Sequence, residues 1–106
     1  MKSIIRASMI VLAGAFAWST CSFAADAAAD YKAKCASCHG AEGKGDTAIG
    51  KTMKVKDLAS DEVQKVSDTD LATIIEKGKK PMPGYEGKLT KEQIDGLVKY
   101  IRSLKN

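Results

Sequence analysis

The sequence predicts an all-α domain of short helices separated by long loops. Three observations carry this. Apolar residues recur at three- and four-residue spacing, and no strand-length run alternates. Several of these stretches follow a Ser or Thr, whose side chain can accept from the free N–H groups of a first turn. The intervals between them collect most of the glycines and both prolines, which interrupt regular elements.

The first residues read as a separate segment. Lys2 and Arg6 give a positive start, and Met9 to Trp18 is apolar and uncharged. Ser22-Phe23-Ala24 offers small residues at both positions a signal peptidase reads, so residues 1–24 have the layout of a secretory signal, cleaved after Ala24. The apolar run falls well short of the roughly 20 residues a spanning helix needs. Cys21 follows Trp18 and Thr20, a poor context for lipid attachment, and is expected to leave with the signal.

Residues 25–106 then form one domain. Without the first 24 of its 106 residues the chain has 82, with 15 basic against 13 acidic side chains. That balance is too weak for nucleic-acid binding, and no basic block is interleaved with aromatics. A core of this size is marginal and often needs a disulfide, a metal or a prosthetic group. Its only aromatics are Tyr31, Tyr85 and Tyr100, a composition that leaves room for a large apolar cofactor.

Asp26 to Lys34 predicts a first helix, with Ala28, Tyr31 and Cys35 on one face. Gly40, Gly43, Gly45 and Gly50 predict an irregular loop, and Lys51 to Lys56 shows no clear element. Ser60-Asp61-Glu62 starts a short helix through Val66. Ser67-Asp68-Thr69-Asp70 starts another, carrying Leu71, Ile74 and Ile75 and ended by Gly78. "KKPMPGYEGK" is a loop. Thr90 and Gln93 resemble a capping box, opening a last helix with the stripe Ile94, Leu97, Val98, Ile101 and Leu104.

The chemistry concentrates in "CASCHGAEGKGD", from Cys35 to Asp46. A structural zinc site needs about four ligands, and Cys35, Cys38 and His39 supply only part of the set. A thioredoxin-like redox pair expects βαβ surroundings and a thiol acidified at a helix N-terminus. Here the cysteines follow a helix, at its negative end. A plain disulfide across two residues would staple almost nothing. No strand precedes "GAEGKG", so it is not a phosphate loop. The remaining reading is covalent haem: Cys-x-x-Cys-His is the c-type attachment pattern. Two thiols at this spacing reach the two vinyl groups on one edge of the macrocycle, and the next imidazole comes under the iron. For the sixth position the domain offers Met53 and Met82. Met82 is favoured, because Pro81 and Pro83 stiffen its loop.

With these residues the chain resembles the class I c-type cytochromes of the small bacterial monohaem kind, over essentially all of 25–106. The matching features are Tyr31 four residues before the first cysteine, the "CASCHG" motif, "EKGKKPMP", and "GKLTKEQIDGLVKYIRSL" as C-terminal helix. The resemblance implies a fold wrapped around one haem c, attached through Cys35 and Cys38 with His39 and Met82 as iron ligands. It implies that the last helix crosses the first, with Tyr100 at the crossing and Tyr31 beside it. It implies a periplasmic monomer that shuttles single electrons and is not an enzyme. Its partners would be redox protein donors and acceptors, with transient docking to membrane respiratory complexes and no nucleic acid. The alternative is a five-coordinate haem acting as a peroxidase or gas sensor. One departure stands out. The family often places a proline about ten residues after the histidine, whose carbonyl accepts from the imidazole. "DTAIGKTMKV" has none, so another backbone carbonyl is expected there. Lys44, Lys77, Lys79, Lys80 and Lys88 flank the two loops. With Glu42, Asp46 and Glu86 among them, they read first as a solvated face and second as a patch steering an acidic partner.

Overall fold

A computed structural model describes residues 23–105. The expected signal and Cys21 lie outside these residues, apart from Phe23 and Ala24, which open the first helix. The described residues form α1 (Phe23–Lys34), α2 (Ala36–His39), α3 (Ala48–Thr52), α4 (Asp61–Gln64), α5 (Asp68–Lys77) and α6 (Lys91–Ser103). Only two isolated bridges, Lys79 with Met82 and Glu86 with Leu89, stand outside them, and there is no sheet among the described residues.

α6 organises the core. Thr90 accepts from the Gln93 N–H, and the Gln93 side chain accepts from the Thr90 N–H, completing the expected capping box. Ile94, Leu97, Val98 and Ile101 are buried, with Leu97 only 1 % exposed, and Leu104 is half-buried. These residues join Tyr31, Leu58, Leu71, Ile75 and Leu89 in one cluster. α1 crosses α6, with the Tyr31 and Tyr100 rings 4.7 Å apart and tilted by 37°. The buried line of α1 runs through Ala27 and Tyr31, whereas Ala28 and Cys35 are half-buried. The expected face therefore holds at Tyr31, with Ala27 rather than Ala28 buried beside it. Periodicity alone cannot choose between adjacent alanines; the partner helix does.

α5 matches its start and stop signals. Ser67 accepts from the Asp70 N–H at 3.1 Å, and Gly78 ends the helix at φ +79°. Ser67→Ala is expected to cost about 1 kcal/mol, the usual worth of an N-cap, read as a lower urea midpoint with unchanged slope.

α4 starts at Ser60 as expected but stops at Gln64 rather than Val66. Tertiary contacts hold that end. The Gln64 side-chain amide donates to the Leu58 carbonyl at 2.7 Å and to that of Ile101 at 3.0 Å. The Arg102 guanidinium donates to the Gln64 carbonyl at 2.8 Å, to that of Val66, and to Asp68 at 2.9 Å. Arg102 of α6 thus satisfies the Gln64 and Val66 carbonyls, which the end of the helix leaves without an intrahelical partner.

α3 occupies a stretch for which the sequence predicts an irregular loop through Gly50. Thr47 caps it, accepting from the Gly50 N–H at 2.9 Å. Gly50 is buried, and a Cβ there would stand 2.3 Å from the Cys38 carbonyl oxygen. This glycine permits a close approach of backbones rather than an irregular loop.

Candidate functional site

The Cys35–His39 segment is one helical turn offset from α1. The Cys35 N–H still donates to the Tyr31 carbonyl at 2.8 Å. The Cys38 and His39 N–H groups both turn back to the Cys35 carbonyl, at 3.2 and 2.9 Å. Gly40 ends the turn at φ +85°, where a Cβ would stand 2.5 Å from Asp46 Oδ1. The chain then folds under itself, the Gly45 N–H donating to the His39 carbonyl at 2.7 Å. Tyr31, 2 % exposed, donates from its hydroxyl to the Gly40 carbonyl at 2.6 Å. α3 closes the other side, with Thr47 Oγ1 donating to the Cys38 carbonyl at 3.1 Å.

Both cysteines are half-buried free thiols, so the disulfide is not formed. Burial, helped by Asp30, pushes the Cys35 thiol up to about 11. An attacking thiol of a redox pair is acidified instead. Among the described residues no three His, Cys, Asp or Glu side chains gather as a metal cluster, which disfavours zinc. His39 is half-buried, and burial lowers its pKa. At neutral pH the ring is therefore uncharged, the state in which it can give a lone pair to a metal.

His39 Nδ1 is buried and has no hydrogen-bond partner. No backbone carbonyl accepts from Nδ1, contrary to the expectation. The carbonyls of Thr47, Ala48, Ile49 and Gly50 accept instead from Lys51, Thr52, Met53 and Val55 respectively. Two free thiols, a neutral imidazole and an adjoining apolar cluster fit a covalent haem.

Met82 lies on a loop closed by its own backbone. Lys79 and Met82 exchange N–H to carbonyl bonds at 3.1 and 2.8 Å. Beyond them, Gly78 and Gly84 bring the two arms into contact: a Cβ on Gly84 would stand 2.7 Å from the Lys77 carbonyl oxygen, and one on Gly78 2.6 Å from the Gly84 nitrogen. The Tyr85 N–H bonds back to the carbonyls of Ile75 and Glu76, both at 3.0 Å. The stiffness inferred from two prolines thus comes largely from backbone bonds and two glycines. Met82 is half-buried against the core cluster that Cys35 and Ala36 also touch. Met53, by contrast, is 48 % exposed at the end of α3. Sequence reasoning also missed Thr47 and the Tyr85 hydroxyl. Thr47, three residues before Gly50, was a visible cap signal masked by the glycines, whereas nothing local marks Tyr85.

Comparison with known proteins finds c-type cytochromes. Residues 23–101 match the family model described as cytochrome C oxidase, cbb3-type, subunit III. The chain is 33 % identical over 109 residues to cytochrome c6 of Picosynechococcus sp. (strain ATCC 27264 / PCC 7002 / PR-6), covering 95 % of this chain and 92 % of that protein. It is 34 % identical over 105 residues to cytochrome c6 of Nostoc sp. (strain PCC 7120 / SAG 25.82 / UTEX 2576), with the same coverages of 95 and 92 %. Among solved structures, the KustC0563 c-type cytochrome superposes with a TM-score of 0.70 at 30 % identity, over 76 % of this chain and 98 % of that one.

Proposed function

The chain belongs to the class I c-type cytochromes, small monohaem electron carriers homologous to cytochrome c6, and on that premise we propose that single electrons pass through a haem iron held between His39 and Met82. The observation that carries the ligand assignment is the contrast between the two methionines. Met82 is half-buried beside the cluster that Cys35 touches, on a closed loop; Met53 is exposed.

Attached through Cys35 and Cys38, the haem supplies a metal centre that alternates between ferric and ferrous states. The chain's own residues set the conditions. His39, kept neutral by burial, offers a nitrogen lone pair. The soft Met82 thioether favours the ferrous state and raises the potential relative to a second nitrogen. The Lys79–Met82 bonds keep that sulfur in place, so little structure has to move when the charge changes. With His39 and Met82 both held for the iron, the chain would leave no open position for a substrate.

The oxidised and reduced optical spectra of holoprotein made in a haem-attaching host test this. Low-spin bands with a weak far-red sulfur-to-iron band in the ferric state are expected. A high-spin spectrum with rapid carbon monoxide binding to the ferrous protein would favour a peroxidase or gas sensor instead.

We further infer export to the periplasm, with residues 1–24 removed and 25–106 acting as a monomer. Its partners are redox proteins, and the oxidase subunit named in the family description supports a membrane respiratory complex as one acceptor. Lys77, Lys79, Lys80 and Lys88 are exposed around the Met82 loop, and none forms an ion pair among the described residues. That unpaired charge supports steering toward an acidic partner. Lys79→Glu combined with Lys80→Glu is expected to slow electron transfer about tenfold at low ionic strength and to flatten its salt dependence. Unchanged rates at every salt concentration would return these lysines to the role of a solvated surface.

A further inference from the structure

We propose that Tyr85 is a positioning residue: its phenol ties the Met82 loop to the peptide before Cys35 and so sets how firmly the thioether is held for the iron. The Tyr85 hydroxyl donates to the Lys34 carbonyl at 2.9 Å, across 51 positions of sequence. That carbonyl is available for a local reason. The helix breaks at Cys35, and the Cys38 N–H turns to the Cys35 carbonyl at 3.2 Å rather than to Lys34. Tyr85 takes the acceptor that the break leaves over.

The other end of the strut is equally fixed. The Tyr85 N–H bonds to the Ile75 and Glu76 carbonyls at 3.0 Å, and the neighbouring Glu86 N–H bonds to Glu76 at 2.9 Å. Tyr85 is thus pinned to the end of α5 by its backbone and to the end of α1 by its side chain, three residues after Met82. Burial raises the phenol pKa, so it remains a donor. The loop reaches the haem-attachment segment through this polar contact as well as through packing on the shared core.

The inference rests on Met82 being the sixth ligand, and the test separates the two. Imidazole is titrated into ferric holoprotein, where it displaces a thioether that lets go, and loss of the far-red band reports displacement. Tyr85→Phe keeps the ring and removes only the hydroxyl. Apparent imidazole affinity is expected to rise about 3- to 10-fold, the range of one net hydrogen bond. Ser67→Ala serves as a control that weakens the fold away from the loop and is expected to leave the affinity roughly unchanged. An unchanged affinity in Tyr85→Phe overturns the tether. So does an equal rise in Ser67→Ala, because general instability would then explain both. A wild-type ferric protein with no far-red band would instead remove the Met82 assignment, and the tether with it.

Discussion

Met82→Ala is expected to abolish the far-red band, turn the ferric spectrum high-spin and let the ferrous protein bind carbon monoxide stoichiometrically. The loss should be complete. Alanine offers no donor atom, and the one other methionine of the domain sits exposed at the end of α3. The reduction potential should also fall by on the order of 0.1 V or more, within the roughly 0.8 V that axial ligands command. The thioether is what favours the ferrous form. Stability should change much less, because Met82 is only half-buried and Lys79 and Met82 pair through backbone atoms that alanine keeps. Met53→Ala is the matched comparison and should leave spectrum and potential unaltered. Persistence of the far-red band in Met82→Ala, or its disappearance in Met53→Ala, would reverse the assignment.

Gly50→Ala is expected to have a large effect on stability for a single methyl group, and its sign is informative. Helix propensity alone predicts a gain of about 1 kcal/mol, since glycine is the poorer helix former. Packing predicts the reverse. The new Cβ would stand 2.3 Å from the Cys38 carbonyl oxygen and 2.6 Å from that of Gly45. Both are main-chain atoms in pinned segments: the Cys38 carbonyl accepts from Thr47 Oγ1 at 3.1 Å, and the Gly45 N–H donates to His39 at 2.7 Å. Relief requires α3 to move off α2, breaking the Thr47 bond. Overpacking of this kind costs about 3 kcal/mol, a large part of a stability usually between about 5 and 15 kcal/mol. The urea midpoint should fall at constant slope, and less haem should be attached in the cell. A midpoint at or above wild type would mean that propensity wins and that α3 does not sit hard against the cysteine turn.

Much of the fold was legible locally. The Ser67 and Thr90 caps, the Gly78 stop and the stripe from Ile94 to Ile101 all hold, because each rests on contacts within a few residues. The Tyr31–Tyr100 crossing followed from the resemblance and is present. α3 was not legible, because glycine has two uses. One is freedom at positive φ, as at Gly40; the other is absence of bulk, as at Gly50. A sequence does not distinguish them, since the difference lies in what stands opposite. The carbonyls at the end of α4 are likewise met by Arg102, more than 30 residues away.

What the sequence determined by itself was the chemistry: two thiols and an imidazole at a spacing suited to one haem edge, one methionine between two prolines, and short capped helices to carry them. Such features are local, because attachment spacing and capping act over four or five residues. The tertiary structure alone decided the environment of these groups. It buried His39 Nδ1 without a partner, engaged the carbonyls of 47–50 in α3 and the turn that follows it, and joined Tyr85 to Lys34. The physical reason is one and the same: desolvation and long-range hydrogen bonding depend on what the rest of the chain brings near, and no local pattern records that.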